Sequence, residues 1–185
     1  MNPPSSDPMA RIGIFFGTDT GRTRLVAKQI ARKLGEAAAA PVNIGRATPA
    51  DFLAYDALIV GTPTLGDGML PGESTGLLQP SWEEFLPQLA AADLGGKTIA
   101  IFGLGDQKKY PAEFVDAIGH LHDALAARGA RIVGHWPTDG YEFSASQAVA
   151  GDRFLGLALD QHHQPMLTEA RLDTWLAQIK PELLP

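Results

Sequence analysis

No cysteine occurs anywhere in the 185 residues, which excludes disulfides, thiol catalysis and iron–sulfur clusters and leans towards a cytoplasmic protein. No apolar run approaches the length of a membrane span, and a composition of 45% apolar and 19% charged residues reads as a globular chain that needs no membrane. Histidine is sparse too. His120, His122, His135, His162 and His163 are not spaced with Asp or Glu in a familiar ligand pattern, so no metal site is expected. Basic residues are outnumbered, 15 against 21 acidic, for a net charge of −6. The imbalance is uneven, with +4 over residues 1–46 and −10 over residues 47–185. An acidic body repels nucleic-acid phosphates; it suits either docking on a basic protein or solubility alone.

One further absence is local. Between the apolar run Ile12–Phe16 and a helical pattern that follows lies Gly17-Thr18-Asp19-Thr20-Gly21-Arg22-Thr23. A Walker A loop would carry a Lys here and a dinucleotide fold G-x-G-x-x-G; neither is present. Three threonine hydroxyls, a glycine and the N–H groups of a helix N-terminus supply uncharged donors suited to a terminal monophosphate. Arg22 alone adds charge, and its side chain is expected to reach solvent. The same residues also read as a Thr- and Gly-rich turn and N-cap with no ligand.

The rest alternates between the two periods. A helix over about 21–34 presents Val26, Ala27, Ile30, Ala31 and Leu34 on one face; a short strand near 41–46 and the buried run Ala57–Gly61 follow. Ser81-Trp82-Glu83-Glu84 has the form of a capping box, with Pro87 set to end or kink its helix. A strand over 97–102, a helix over about 111–128, a strand over 131–135, a strand over 155–159 and a helix over 168–180 complete the pattern. The excursion of roughly twenty residues before 155 is rich in turn formers. The first nine residues are expected to be a disordered tail, and residues 10–185 one domain. Strands alternating with helices predict a doubly wound parallel sheet with ligands at the strand carboxyl ends.

Three of those ends carry unusual sequence. Thr62-Pro63-Thr64-Leu65-Gly66-Asp67-Gly68 follows strand three, Gly103-Leu104-Gly105-Asp106-Gln107-Lys108-Lys109-Tyr110 strand four, and Trp136-Pro137-Thr138-Asp139-Gly140-Tyr141-Glu142-Phe143 strand five. With Thr18-Asp19-Thr20-Gly21-Arg22-Thr23, and in this order across about residues 10–183, these motifs resemble those of the flavodoxin family. The interruption of strand five places the chain with long-chain members. Leu65, where many have Trp, is most similar to flavodoxins of nitrogen-fixing bacteria.

The resemblance implies a flavodoxin-like α/β fold with five parallel strands in the order 2-1-3-4-5, the fifth interrupted by the insertion. It implies non-covalent FMN, its phosphate on Thr18, Asp19, Thr20, Gly21, Arg22 and Thr23, with Thr64 closing from the next loop. Tyr110 is the implied outer stacking ring, although a Tyr at a helix head also reads as core. Leu65 would cover the other face beside Pro63. Gly103, Leu104, Gly105 and Asp106 form the loop at the ring's pyrimidine edge.

At Gly66-Asp67 a peptide would turn on one-electron reduction; Gly66 and Gly68 also fit a plain tight turn. Asp67, Asp106 and Asp139 would disfavour an anionic hydroquinone, giving a very low semiquinone/hydroquinone potential. The rim acids Glu73, Glu113 and Asp116 would steer basic partners. The activity implied is that of a low-potential one-electron carrier, monomeric and not an enzyme. Its acceptor would be nitrogenase reductase component, its donor pyruvate:flavodoxin oxidoreductase or ferredoxin–NADP reductase. The alternative is an FMN-dependent NAD(P)H quinone or azo reductase. A phosphoacceptor receiver domain would require acidic residues where Gly17-Thr18 and Thr62-Pro63 stand.

Overall fold

The apolar run Ile12–Phe16 forms β1, buried along its whole length, and feeds α1 (Arg22–Leu34), whose Val26, Ala27, Ile30 and Leu34 face the core. The computed structural model describes residues 10–185, so the tail expected at residues 1–9 lies outside it. β2 is only Val42–Asn43, because Ile44–Arg46 closes into a 3-10 turn held by Asn43 Oδ1, which accepts the Gly45 N–H at 2.9 Å. α2 (Pro49–Leu53) starts with a reciprocal Thr48–Asp51 capping box. Then come β3 (Ala57–Pro63), α3 (Trp82–Phe85), β4 (Thr98–Leu104), α4 (Asp116–Ala126), β5 (Arg131–Val133), β6 (Trp136–Pro137), β7 (Val149–Ala150), β8 (Arg153–Phe154), β9 (Leu157–Leu159) and α5 (Thr168–Leu183).

The main sheet is parallel in the expected order β2-β1-β3-β4-β5. Its fifth strand is split. β5 pairs with Thr98–Ala100 of β4, and β9 resumes the same edge against Phe102–Leu104. The intervening residues fold into a small antiparallel sheet of order β6-β8-β7. Phe154 on β8 is fully buried, its ring 5.8 Å from Phe114, 5.1 Å from Tyr141 and 5.3 Å from Phe143. The insertion is thus fastened to the domain by an aromatic cluster.

Two apolar layers sandwich the main sheet. α1 and α5 cover one face with Ile30, Leu172, Trp175 and Ile179, while α3 and α4 cover the other with Trp82, Phe85, Ile118 and Leu121. Trp82 also spends its indole N–H on the Gly61 carbonyl at 2.9 Å, which removes the cost of burying that donor.

Beside the shortened β2, three element boundaries differ from the sequence reading for an identifiable physical reason. α4 begins at Asp116, not near Pro111, because residues 110–115 run as successive turns that deliver Phe114 into the aromatic cluster; Val115 takes a left-handed conformation (φ 49°) at the helix start. β5 stops at Val133, where Gly134 (φ 85°) breaks the extended backbone. α5 continues through Pro181 to Leu183, whose burial fixes the last turn. Pro87 acts as expected: α3 ends at Phe85 and Leu86–Leu89 continues as a 3-10 turn. The capping box before it is half made. Glu84 accepts the Ser81 N–H at 2.8 Å, but the buried Ser81 Oγ has no partner among the described residues.

Candidate functional site

At the carboxyl ends of β1, β3, β4 and β9 four loops enclose a cleft of about 330 Å³. A larger hollow, about 500 Å³, lies at the opposite ends of the strands, bordered by Arg11, Tyr55, Arg131 and the C-terminal residues. The smaller one is the candidate site. Of the two, it is the one where strand carboxyl ends and the N-terminus of α1 converge, which is where doubly wound sheets bind their ligands.

The loop after β1 gives Asp19, Thr20, Arg22 and Thr23 to the first wall. Gly21 adopts φ 89° to turn the chain into α1, a conformation costly for any residue with a Cβ, and no side chain caps the helix. The Gly21 N–H is taken by Thr18 Oγ1 at 3.0 Å, and the first bond within the helix runs from Leu25 N–H to Gly21 O. The N–H groups of Arg22, Thr23 and Arg24 are the orphan donors of this helix start, and the positive end of its dipole lies beside them. The Arg22 side chain does not simply reach solvent. Its Nη1 donates towards the His162 ring across the cleft mouth, 2.9 Å from Nδ1 and 2.6 Å from Nε2.

The loop after β3 gives Pro63, Thr64, Leu65 and Gly66. Leu65 and Met69 exchange N–H···O bonds of 2.9 and 2.7 Å, closing a three-residue tip of Gly66, Asp67 and Gly68. Gly66 (φ 54°) and Gly68 (φ 85°) are both left-handed, and Asp67 stands exposed at the apex. Gly68 is buried instead of lining the cleft, its Cα backed by Asp116. Thr64 Oγ1 accepts the Ala117 N–H at 3.4 Å, so this hydroxyl also serves the start of α4.

The loop after β4 gives Leu104, Gly105, Asp106 and Tyr110, together with Lys109. Gly103 lies behind them, buried in β4 against Ile118. Tyr110 is 44% exposed, with Lys109 Nζ 5.4 Å from its ring centroid, so it is not a core tyrosine. Asp106 Oδ1 accepts from Lys108 N at 3.1 Å, Lys109 N at 2.8 Å and His163 Nε2 at 2.7 Å. Burial pushes the Asp106 carboxyl up, but the Lys109 N–H, the His163 ring and the Lys108 N–H together hold it below its usual value.

A fourth wall was not anticipated: Gln161 and His162, on the turn after β9. The signal was positional. Asp160 directly follows a buried apolar strand, so its turn reaches the same rim as the other three loops. Asp139, in contrast, is exposed and stands outside the cleft. Asp116 is no rim acid either. It is 2% exposed, its Oδ1 accepts the Gln147 N–H at 2.8 Å, and burial raises its pKa. It sits between the Gly68 loop and the insertion. Glu73 is exposed and Glu113 half-buried. Tyr141, in the fifth motif, donates to Ala158 O at 2.6 Å and accepts the Trp136 indole N–H at 3.0 Å, serving the insertion and not the cleft.

The family model described as flavodoxin matches residues 14–175. A flavodoxin of Klebsiella pneumoniae is 60% identical over 176 residues, covering 95% of this chain and all of the relative. Flavodoxin 1 of Escherichia coli strain K12 is 46% identical over 95% of this chain and 96% of its own. Among solved structures, Fusobacterium nucleatum flavodoxin bound to flavin mononucleotide superimposes with a TM-score of 0.83 at 30% identity, over 92% of this chain and 97% of that one.

Proposed function

The chain belongs to the flavodoxin family, and on that premise we propose that it is a low-potential electron carrier, not an enzyme, that holds FMN non-covalently in the four-loop cleft. The observation that carries this reading is the uncapped start of α1 beside the hydroxyls of Thr20 and Thr23, which line the cleft, with Thr18 Oγ1 behind them on the Gly21 N–H. A set of neutral donors with the helix dipole fits a single terminal phosphate better than a polyphosphate, which would call for a Lys. The cleft volume also falls in the range of small-molecule sites, roughly 300–1,000 Å³.

Bound FMN supplies one-electron transfer; the chain supplies its placement. The N–H groups of Asp19, Arg22 and Thr23 and the threonine hydroxyls would hold the phosphate, with Gly21 letting the backbone approach. Leu65 and Tyr110 would cover the two faces of the ring and exclude water from them. The backbone of Leu104, Gly105 and Asp106 would meet its polar edge. The tip Gly66-Asp67-Gly68 offers a peptide free to turn towards the ring, since both glycines tolerate positive and negative φ. Asp67 at the tip and Asp106 in the wall add negative charge that disfavours a second electron.

Nitrogenase reductase component is the proposed acceptor, supported by the pattern Thr62-Pro63-Thr64-Leu65-Gly66. Pyruvate:flavodoxin oxidoreductase or ferredoxin–NADP reductase is the proposed donor. The acidic body beyond residue 46 suits docking on such partners by charge complementarity. The reading includes a cytoplasmic monomer; no described helix is long and apolar enough to cross a membrane.

Reductive titration of the FMN-loaded chain tests the proposal. Two well-separated one-electron steps, with negligible NAD(P)H–quinone turnover unless a reductase is added, are expected. A single two-electron bleaching accompanied by such turnover overturns it in favour of a reductase.

A further inference from the structure

The turn after β9 carries two adjacent imidazoles that no cofactor motif accounts for. Its anchor is Asp160, fully buried, which accepts four N–H groups. Oδ1 takes those of His162 and His163, each at 3.0 Å, and Oδ2 takes the Gln107 backbone at 3.1 Å and the Gln107 side chain at 2.9 Å. The carboxylate thereby ties the turn to the loop after β4. Asp106, Asp160 and His163 bring ligand-type atoms within 4.8 Å of one another, but four N–H donors fill the lone pairs of Asp160, so the cluster is a hydrogen-bonded brace and not a metal site.

From this anchor the two histidines diverge. His162 meets Arg22 at the start of α1, beside the phosphate-type donors. His163 Nε2 meets Asp106 Oδ1 at 2.7 Å, the same oxygen that closes the turn through Lys108 and Lys109. Tyr110 hangs from that turn by its N–H to the Asp106 carbonyl at 2.9 Å.

We propose that His163 is a positioning residue for the flavin ring, acting through Asp106 to hold the Gly105–Tyr110 loop against the cleft. The proposal rests on the FMN reading given above. His163 does not line the cleft itself; through the wall residue Asp106 it fixes one oxygen that fixes one turn that sets one aromatic ring. The pair is sheltered, with side-chain exposures of 30% for His163 and 12% for Asp106, so it is screened less than a surface ion pair.

Equilibrium titration of the full chain with FMN and with riboflavin, which lacks the phosphate, tests this through quenching of flavin fluorescence. His163→Ala should weaken both ligands by the same factor, about tenfold for one charge-assisted hydrogen bond. His163→Gln, whose amide can still donate to Asp106, should recover most of that loss. His162→Ala, on the same turn, should weaken FMN by about threefold, as fits an exposed contact, and leave riboflavin unchanged. Unchanged affinities in His163→Ala overturn the inference alone, provided the wild-type chain binds FMN. Failure of His163→Gln to recover affinity, with a fall in the melting temperature of the free chain equal to that of His163→Ala, also overturns it, because His163 is then only structural. A wild-type chain that quenches neither flavin overturns the cofactor reading with it.

Discussion

Alanine placed at each of the two glycines of the Gly66-Asp67-Gly68 tip should give sharply different results. Both positions are left-handed, φ 54° and 85°, so either substitution meets the cost of holding an L-residue there, about 1–2 kcal/mol. Beyond that shared term the surroundings differ. A Cβ on Gly66 would find only Thr75 Cγ2 at 3.7 Å, an ordinary contact. A Cβ on Gly68 would come within 2.7 Å of Asp116 Oδ2 and 3.1 Å of its Cβ, and Asp116 cannot retreat because it is buried and bonded to Gln147. Overpacking of that kind costs about 1–3 kcal/mol more. Urea unfolding of the ligand-free chain should therefore show losses of about 1–2 kcal/mol for Gly66→Ala and about 2–5 kcal/mol for Gly68→Ala, with m unchanged. In a chain of this length that is roughly 5 °C against roughly 10 °C in melting temperature. In the FMN-loaded protein, Gly66→Ala should also hinder the proposed peptide turn. The first one-electron potential should fall by about 20–65 mV, the equivalent of one hydrogen bond of about 0.5–1.5 kcal/mol. Equal destabilisation by the two substitutions, or a larger loss at Gly66, refutes the packing argument.

Other outcomes follow from individual groups. Asp116 has a raised pKa, so the folded chain holds a proton the unfolded chain has already released, and stability falls as pH rises just above the ordinary carboxylate range. Asp116→Asn keeps an acceptor for the Gln147 N–H and should remove that decline; parallel curves for variant and wild type between pH 4 and 7 would contradict it. The Tyr141 hydroxyl is pushed up to about 12 by burial, so ultraviolet titration should leave one of the three tyrosines un-ionised until about that pH. Its removal in Tyr141→Phe leaves the Trp136 N–H and the Ala158 carbonyl without it and should cost about 1–3 kcal/mol by urea denaturation. Lys108→Glu/Lys109→Glu should lower the second one-electron potential in a potentiometric titration, since Lys109 lines the cleft beside Tyr110; an unchanged or raised value rejects that influence.

Strand order and the position of the cleft were legible because apolar runs and the loops that follow them are local signals. Thr18–Thr23, Pro63–Gly66 and Leu104–Tyr110 stand where the sequence put them, at neighbouring strand ends. What escaped depends on distant partners. The start of α4 is delayed by the pull of Phe114 into a cluster with Phe143 and Phe154, residues thirty to forty positions away, and no helical periodicity encodes that. Asp116 reads as a surface acid until the Gly68 loop and Gln147 close over it. Asp139 belongs to a motif that packs beside the turn after β9 and not in the cleft. His162 and His163 sit in a turn with no recognisable pattern; only the splitting of the fifth strand, which brings β9 alongside the end of β4, makes them neighbours of Arg22 and Asp106.

That splitting also governs how the molecule meets other copies of itself. A parallel sheet ends in two edges, each a row of unpaired N–H and C=O groups able to recruit a foreign strand. Here one edge is the two-residue β2, and the other is broken into the three-residue segments β5 and β9, parted by a small sheet that turns the chain aside. Neither offers the longer flat run that intermolecular strand pairing needs. The interruption is therefore a guard against fibrous self-association, and a chain with residues 136–156 replaced by a short extended link should aggregate more readily at the same concentration.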